Sequence, residues 1–261
     1  KVPFFDKEQI ENICIDYKTP FHIYDERGIR EGIRRLQKAF SWADYCEYFA
    51  VKACPNPYLI KLMAEEGCGV DCSSMTELMM SEKLGFIGEK IMFSSNATPA
   101  EDFVKARELD SIINLDDITH IDFLEKNGGL PETLCLRYNP GGDFRIGNAI
   151  MGNPGDAKYG MTKAQIFEAI ATLMKKGVKH FGLHAFLASN MIENDYYASL
   201  ASILFELAVE INNELGADMI FVNLSGGIGI PYKPEDEPVN LEYVGEKVKE
   251  AYDKIVVPSK L

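Results

Sequence analysis

The sequence predicts an α/β barrel of parallel strands. Short apolar, β-rich runs alternate with amphipathic helical stretches, and the middle runs recur about every 20 residues, the length of one strand–helix unit with short loops. Regular repetition with no reversal point favours a closed barrel over an open, doubly wound sheet. In chain order the runs are 21–25 (FHIYD), 46–53 (CEYFAVKA), 69–73 (GVDCS), 91–95 (IMFSS), 111–115 (SIINL), 133–138 (TLCLRY), 180–187 (HFGLHAFL) and 219–225 (MIFVNLS). Helical patterns fill 26–40, 57–66, 75–84, 99–109, 119–127, 163–176, 195–215 and 240–255. Ser73-Ser74-Met75-Thr76-Glu77 and Asn96-Ala97-Thr98-Pro99-Ala100-Glu101 read as helix starts, with capping side chains followed by Glu and, in the second, an early Pro. The stretch 139–162 holds six glycines and little periodicity. It reads as a long loop, and such loops in compact barrels are usually functional.

Composition bounds the possibilities. The chain has 261 residues, enough for one large core in a single barrel domain. A formal charge of −13 with dispersed Lys and Arg argues against nucleic-acid or anionic-membrane partners. No run approaches the ~18 apolar residues of a membrane span. The six cysteines (Cys14, Cys46, Cys54, Cys68, Cys72 and Cys135) form no CxxC pair and read as reduced, mostly buried thiols of a cytoplasmic protein. A metal site is not expected. Cys68 and Cys72 have no nearby His, and His180 and His184 on one strand stand roughly 13 Å apart.

Four places carry chemistry. Lys52 ends the run Tyr48-Phe49-Ala50-Val51, at the barrel mouth where this fold places catalytic groups. Partial desolvation there would free its amine as a nucleophile toward a carbonyl, although a strand-end lysine snorkelling to solvent is the commoner case. Asp71 ends the next run and would stand beside Lys52, unless it caps the helix starting near Ser74. Asn223-Leu224-Ser225-Gly226-Gly227-Ile228-Gly229 follows the last apolar run. Glycines directly after a strand let backbone N–H groups approach a phosphate, and Ser189 on the adjacent loop adds a hydroxyl. His184 and Phe186 share parity and should face inward, as a platform for a flat cofactor or as plain core.

Taken together, these segments resemble the fold-type III pyridoxal-phosphate enzymes, most closely the diaminopimelate decarboxylases, from about Thr19 to Tyr252. The resemblance rests on Tyr48-Phe49-Ala50-Val51-Lys52-Ala53, Gly69-Val70-Asp71 with Ser73-Ser74 and Glu77-Leu78, Leu136-Arg137-Tyr138-Asn139-Pro140-Gly141, Lys158-Tyr159-Gly160, Gly182-Leu183-His184 and Gly226-Gly227-Ile228-Gly229-Ile230-Pro231-Tyr232. It implies a barrel of the alanine racemase type, with pyridoxal 5'-phosphate held by Lys52 as a Schiff base. Asp71 would lie near that lysine, with His184 and Phe186 at the cofactor ring and Ser189, Ser225, Gly226, Gly227 and Gly229 at its phosphate. The implied reaction is decarboxylation of meso-diaminopimelate to lysine, in a homodimer when full length. Ornithine, arginine and carboxynorspermidine decarboxylases are the nearest rivals, and a non-catalytic cofactor-binding barrel or an unrelated phosphate-binding barrel are the other readings.

Three departures qualify the resemblance. Phe186 stands where the family has a ring-stacking histidine, and Ser225 replaces the first of three glycines. The family also has further elements beyond Leu261: an eighth strand with a glutamate for the pyridine nitrogen, and a second β-rich domain. It assigns 21–25 to that second domain. Residues 1–261 are therefore expected to form a seven-stranded, C-terminally incomplete barrel, with 1–25 contributing to the second domain and the fragment inactive alone.

Overall fold

A computed structural model describes residues 3–143, 159–233 and 235–261. Seven parallel strands, β1 Tyr48–Ala50, β2 Gly69–Cys72, β3 Ile91–Ser95, β4 Ile112–Leu115, β5 Thr133–Arg137, β6 His180–His184 and β7 Asp218–Asn223, pair in sequence order. Every neighbour is parallel, and β1 and β7 are the two edges of the sheet. The helices are α1 Lys7–Asp16, α2 Glu26–Ala39, α3 Pro57–Glu65, α4 Met75–Lys83, α5 Ala100–Glu108, α6 His120–Asn127, α7 Lys163–Lys175, α8 Tyr196–Leu215 and α9 Leu241–Ser259.

Of the eight β-rich runs, seven form strands, as expected for the incomplete barrel. Residues 21–25 form no strand, and α1 was not foreseen, because none of its side chains is buried and its apolar pattern is weak. The expected helix start at Ser74 is present: its hydroxyl accepts from the Glu77 N–H while the Glu77 carboxylate accepts from the Ser73 N–H at 2.9 Å. At the second site the helix begins after Pro99, with no side-chain cap. Cys68, Cys72 and Cys135 are buried free thiols, whereas Cys14 and Cys46 are exposed, so half of the cysteines are buried rather than most. Most of the 139–162 loop, including Lys158, lies outside the described residues.

Strand side chains alternate between two faces. On the outer face Val70, Cys72, Ile91, Phe93, Ile113, Leu115, Leu134, Leu136, Phe181 and Leu183 are fully buried. They share one apolar core with Ile60, Leu78, Phe103, Leu124, Ile170 and Leu204 of the surrounding helices. The registers Ala50↔Asp71, Ser94↔Asn114↔Cys135↔Gly182 and Arg137↔His184↔Asn223 put a different set on the concave face. That set is small or polar. Gly182 is required there, since a Cβ would lie 2.1 Å from the Phe221 ring of the neighbouring strand.

The ends of the chain order close on each other through α9, which packs on both α8 and α2. Gly245 makes the α2 contact possible: a Cβ there would stand 2.2 Å from the Ala39 carbonyl oxygen. Glycine to alanine inside a helix normally stabilises by about 0.5–1 kcal/mol. Backbone cannot yield as a flexible side chain does, so at this position the sign reverses. Gly245→Ala is expected to lower unfolding free energy by about 1–3 kcal/mol in urea titrations. Gly32→Ala, on α2 with no neighbour within 4 Å of the added carbon, should raise it by about 0.5–1 kcal/mol. Equal effects at both positions would show that the helix contact is looser than its geometry.

Candidate functional site

The C-terminal ends of the strands gather most of the sequence-predicted residues. Strand β1 stops at Ala50, and a 3-10 turn over Val51–Ala53 carries Lys52 just beyond it. Lys52 is exposed, so the desolvation expected around its amine is not provided by the described residues. The reason is local: β1 is an edge strand with no neighbour on its open side.

Asp71, one strand over, is the half-buried member of β2 and does not cap α4, a role taken by Ser74. Its Oδ1 is buried with no protein partner among the described residues. Burial pushes its carboxyl up to about 7, against the lowering effects of a Ser94 hydrogen bond and the Lys52 charge. His184, at the end of β6, is buried. Its Nδ1 lies 2.9 Å from Asn114 Nδ2. Burial first, then the Arg137 and Lys52 charges, depress this imidazole to about 3, so it is neutral at physiological pH.

Two groups were missed by residue-level reading. Asn114 also donates to Ser94 Oγ at 3.3 Å, which links β3, β4 and β6. Arg137 ends β5 and pairs with Asp116 at 2.9 Å, with both side chains largely buried. Its guanidinium lies 5.1 Å from the centroid of the Tyr159 ring and 5.8 Å from that of Phe186. The available signal was parity: Ser94, Asn114 and Arg137 are polar residues at concave positions inside apolar runs. Phe186 lies beyond the end of β6, half-buried at the same mouth.

The glycine loop after β7 is held edge-on by the loop after β6. Met191 N–H donates to the Gly227 carbonyl and Gly229 N–H to the Met191 carbonyl, each at 2.7 Å. Asn190 Oδ1 accepts from Ile230 N–H, and Tyr197 O–H donates to the Gly226 carbonyl. Ser225 and Gly227 both have positive φ, 63° and 88°. A Cβ at Gly227 would lie 2.5 Å from the Ala188 carbonyl oxygen and 3.3 Å from Ser189 Cα, so Ser189 and the loop are in direct apposition. Nothing lies within 4 Å of a Cβ at Gly226. Among the described residues no protein acceptor takes the N–H groups of Gly226, Gly227 or Ile228. Successive unpaired amides in such a turn form an anion-binding concavity.

This set has the composition of a site for a flat, phosphate-bearing group. It offers a primary amine, an acid with an orphaned buried oxygen, a neutral imidazole, an aromatic face and open backbone amides beside a serine. Comparison with known proteins agrees. Residues 26–260 match the family described as pyridoxal-dependent decarboxylase, pyridoxal binding domain. Protein TabA of Pseudomonas amygdali pv. tabaci is 32% identical over 93% of this chain and 57% of its own length. The diaminopimelate decarboxylase of Thermoplasma acidophilum is 30% identical over 94% and 60% respectively. In fold, the chain superposes on Helicobacter pylori diaminopimelate decarboxylase complexed with L-lysine with a TM-score of 0.84 at 22% identity, covering 94% of this chain and 63% of that one. The lysine decarboxylase of Selenomonas ruminantium gives 0.82 at 18%, covering 98% and 64%. The chain thus spans less than two thirds of each of these proteins.

The raised carboxyl of Asp71 has a thermodynamic signature. A folded-state value near 7 against an ordinary 3.8 means that folding disfavours the ionised form. This destabilisation is absent below about pH 4, grows as pH rises, and is complete above about pH 7. Asp71→Asn removes it. Urea unfolding should show the variant more stable than wild type by up to about 4 kcal/mol at pH 8, with the gap closing toward pH 4. A constant gap across that range would mean that Asp71 is not the titrating group.

Proposed function

The chain belongs to the pyridoxal-dependent decarboxylases through their pyridoxal-binding domain, and from that premise we propose that Lys52 is its Schiff-base lysine in an enzyme that decarboxylates meso-diaminopimelate to lysine. The observation that carries the site assignment is that Lys52, Asp71, His184 and the Gly226–Gly229 loop all lie at the C-terminal ends of the parallel strands. When bound, pyridoxal phosphate supplies an electron sink for the pair left behind as carbon dioxide departs. Ser189, Ser225 and the amides of Gly226, Gly227 and Gly229 would hold the phosphate, although the Gly229 amide already serves the Met191 carbonyl. That leaves Gly226, Gly227 and Ile228 as the amide donors. Asp71 would steady the Lys52 ammonium when the substrate amine replaces it. His184, neutral and buried, presents polarity without charge, and Phe186 offers an apolar face that excludes water from the ring.

The substrate rests on the relatives. The Thermoplasma acidophilum protein and several others of 24–27% identity are diaminopimelate decarboxylases. Protein TabA, at 32%, carries no substrate in its name, so the reaction class is better supported than the choice among basic amino acids. Residues 1–25 would join a second, β-rich domain of the longer protein. In support, Phe4, Ile15, Tyr17 and Tyr24 are large apolar side chains left exposed here. The longer protein would act as a cytoplasmic homodimer. No helix among the described residues is long and apolar enough to cross a membrane.

Incubation with pyridoxal phosphate, borohydride reduction and peptide mass mapping test the site. Labelling is expected at Lys52, lost in Lys52→Ala. In Gly227→Ala half-saturation should require roughly tenfold more cofactor, about the 1.4 kcal/mol of one strained loop. Label scattered over surface lysines, in this chain and in the full-length protein alike, would overturn the assignment. Turnover by the full-length protein should be fastest on meso-diaminopimelate when compared with lysine, ornithine and arginine.

A further inference from the structure

Asn114 is buried on the concave face of β4 and touches both of its polar neighbours through one atom. Its amide nitrogen lies 2.9 Å from His184 Nδ1 and 3.3 Å from Ser94 Oγ. Its Oδ1 is buried with no protein partner among the described residues. That asymmetry fixes which end faces which way. Turned over, the amide would bury an NH₂ with neither proton accepted, and an orphaned buried N–H is costlier than an underused carbonyl. A nitrogen carrying two protons only donates. His184 Nδ1 must then be the lone-pair nitrogen, and Ser94 Oγ is the acceptor of the other amide proton.

We infer that Asn114, anchored on Ser94, is a positioning residue that holds His184 as the neutral, Nε2-protonated tautomer. The relay runs one way from β4 to β3 and β6, so the imidazole gives the site a hydrogen-bond donor rather than a base. The groups facing His184 agree with this. Arg137 lies beside it on β5, Asn223 on β7 and Lys52 beyond β1, and the nearest acid to Arg137, Asp116, is spent on that arginine. The Arg137 and Lys52 charges both oppose an imidazolium, and the Asp116 carboxylate is held by Arg137. The functional meaning rests on the proposed cofactor site, but the tautomer itself does not.

Long-range proton–nitrogen correlation spectra of the nitrogen-15-labelled chain read the tautomer directly, with His184 assigned among four histidines by its loss in His184→Gln. His184 should show an unprotonated Nδ1 and a protonated Nε2 throughout about pH 5 to 8, the range in which an ordinary imidazole changes charge. Asn114→Asp puts an acceptor opposite Nδ1. There the proton should move to Nδ1, and the titration midpoint should rise by about 1–3 pH units. Nδ1 protonated in the wild type, or spectra unchanged in Asn114→Asp, would overturn the inference. If that variant does not fold, the wild-type tautomer decides alone. The Lys52 labelling experiment separates the two readings. A locked tautomer without labelling defeats only the cofactor assignment, whereas labelling with an Nδ1-protonated His184 defeats only the relay.

Discussion

Two-faced alternation along parallel strands is the constraint on which the other features depend. The outer face of the five inner strands, β2 to β6, is committed to helix packing, and its apolar residues from Val70 through Leu183 are fully buried. At about 25 cal/mol per Å² of apolar area, that layer is the main source of stability. Because the helices satisfy the hydrophobic requirement on one side, the concave side is free to carry Asp71, Ser94, Asn114, Cys135, Arg137 and His184. A sheet with both faces in apolar contact could not bury so many polar groups without paired partners. The polar interior is therefore a consequence of the outer packing, and the site is a consequence of the polar interior.

Within that interior, charge placement does the sorting. Arg137 has its own carboxylate in Asp116, and with both ions largely buried the pair must stay intact, since removing one partner typically costs about 3–5 kcal/mol. The pairing leaves Asp71 to face the Lys52 charge, and burial sends it the opposite way from His184: the acid up to about 7, the imidazole down to about 3. Both shifts favour neutral forms. The concave face is thus built to hold polar groups uncharged except at Arg137, Asp116 and Lys52, and the last of these stands at the exposed edge.

Much of this was legible from residues alone. Seven of the eight β-rich runs coincide with the seven strands to within two residues at their starts, and the helix starts follow from Ser74 and Pro99. The run 21–25 failed because alternation in five residues cannot distinguish a strand from an extended segment that merely leads into a helix. Helix α1 was invisible for the opposite reason: its amphipathic pattern is weak, whereas that of α2, equally without buried side chains, is strong. At the site, Lys52, Asp71 and the glycine loop were signalled by position at strand ends, but Asn114 and Ser94 were not. Their meaning depends on which strands become neighbours, and β4 reaches β6 only across the concavity rather than through the sheet. Contacts of that kind are set by curvature, which no local pattern encodes.

The departure at Phe186 is intelligible on the same terms. The Arg137 guanidinium stands 5.8 Å from the centroid of this ring and 5.1 Å from that of Tyr159. A permanent cation in that position is attracted by an aromatic quadrupole, by about 0.5–2 kcal/mol depending on desolvation. The same cation repels a protonated imidazole, so a histidine there would be kept neutral by its neighbour. Exchanging a neutral histidine for phenylalanine preserves the flat face and strengthens the cation contact, while giving up only a hydrogen bond. Asp116 anchors the guanidinium from β4's side, so Arg137 stands in a fixed place against the Phe186 ring. Ser225 follows the same logic at the loop: its φ of 63° is open to any residue that tolerates the left-handed region at modest cost, whereas Gly227, pressed on the Ala188 carbonyl, has no such latitude.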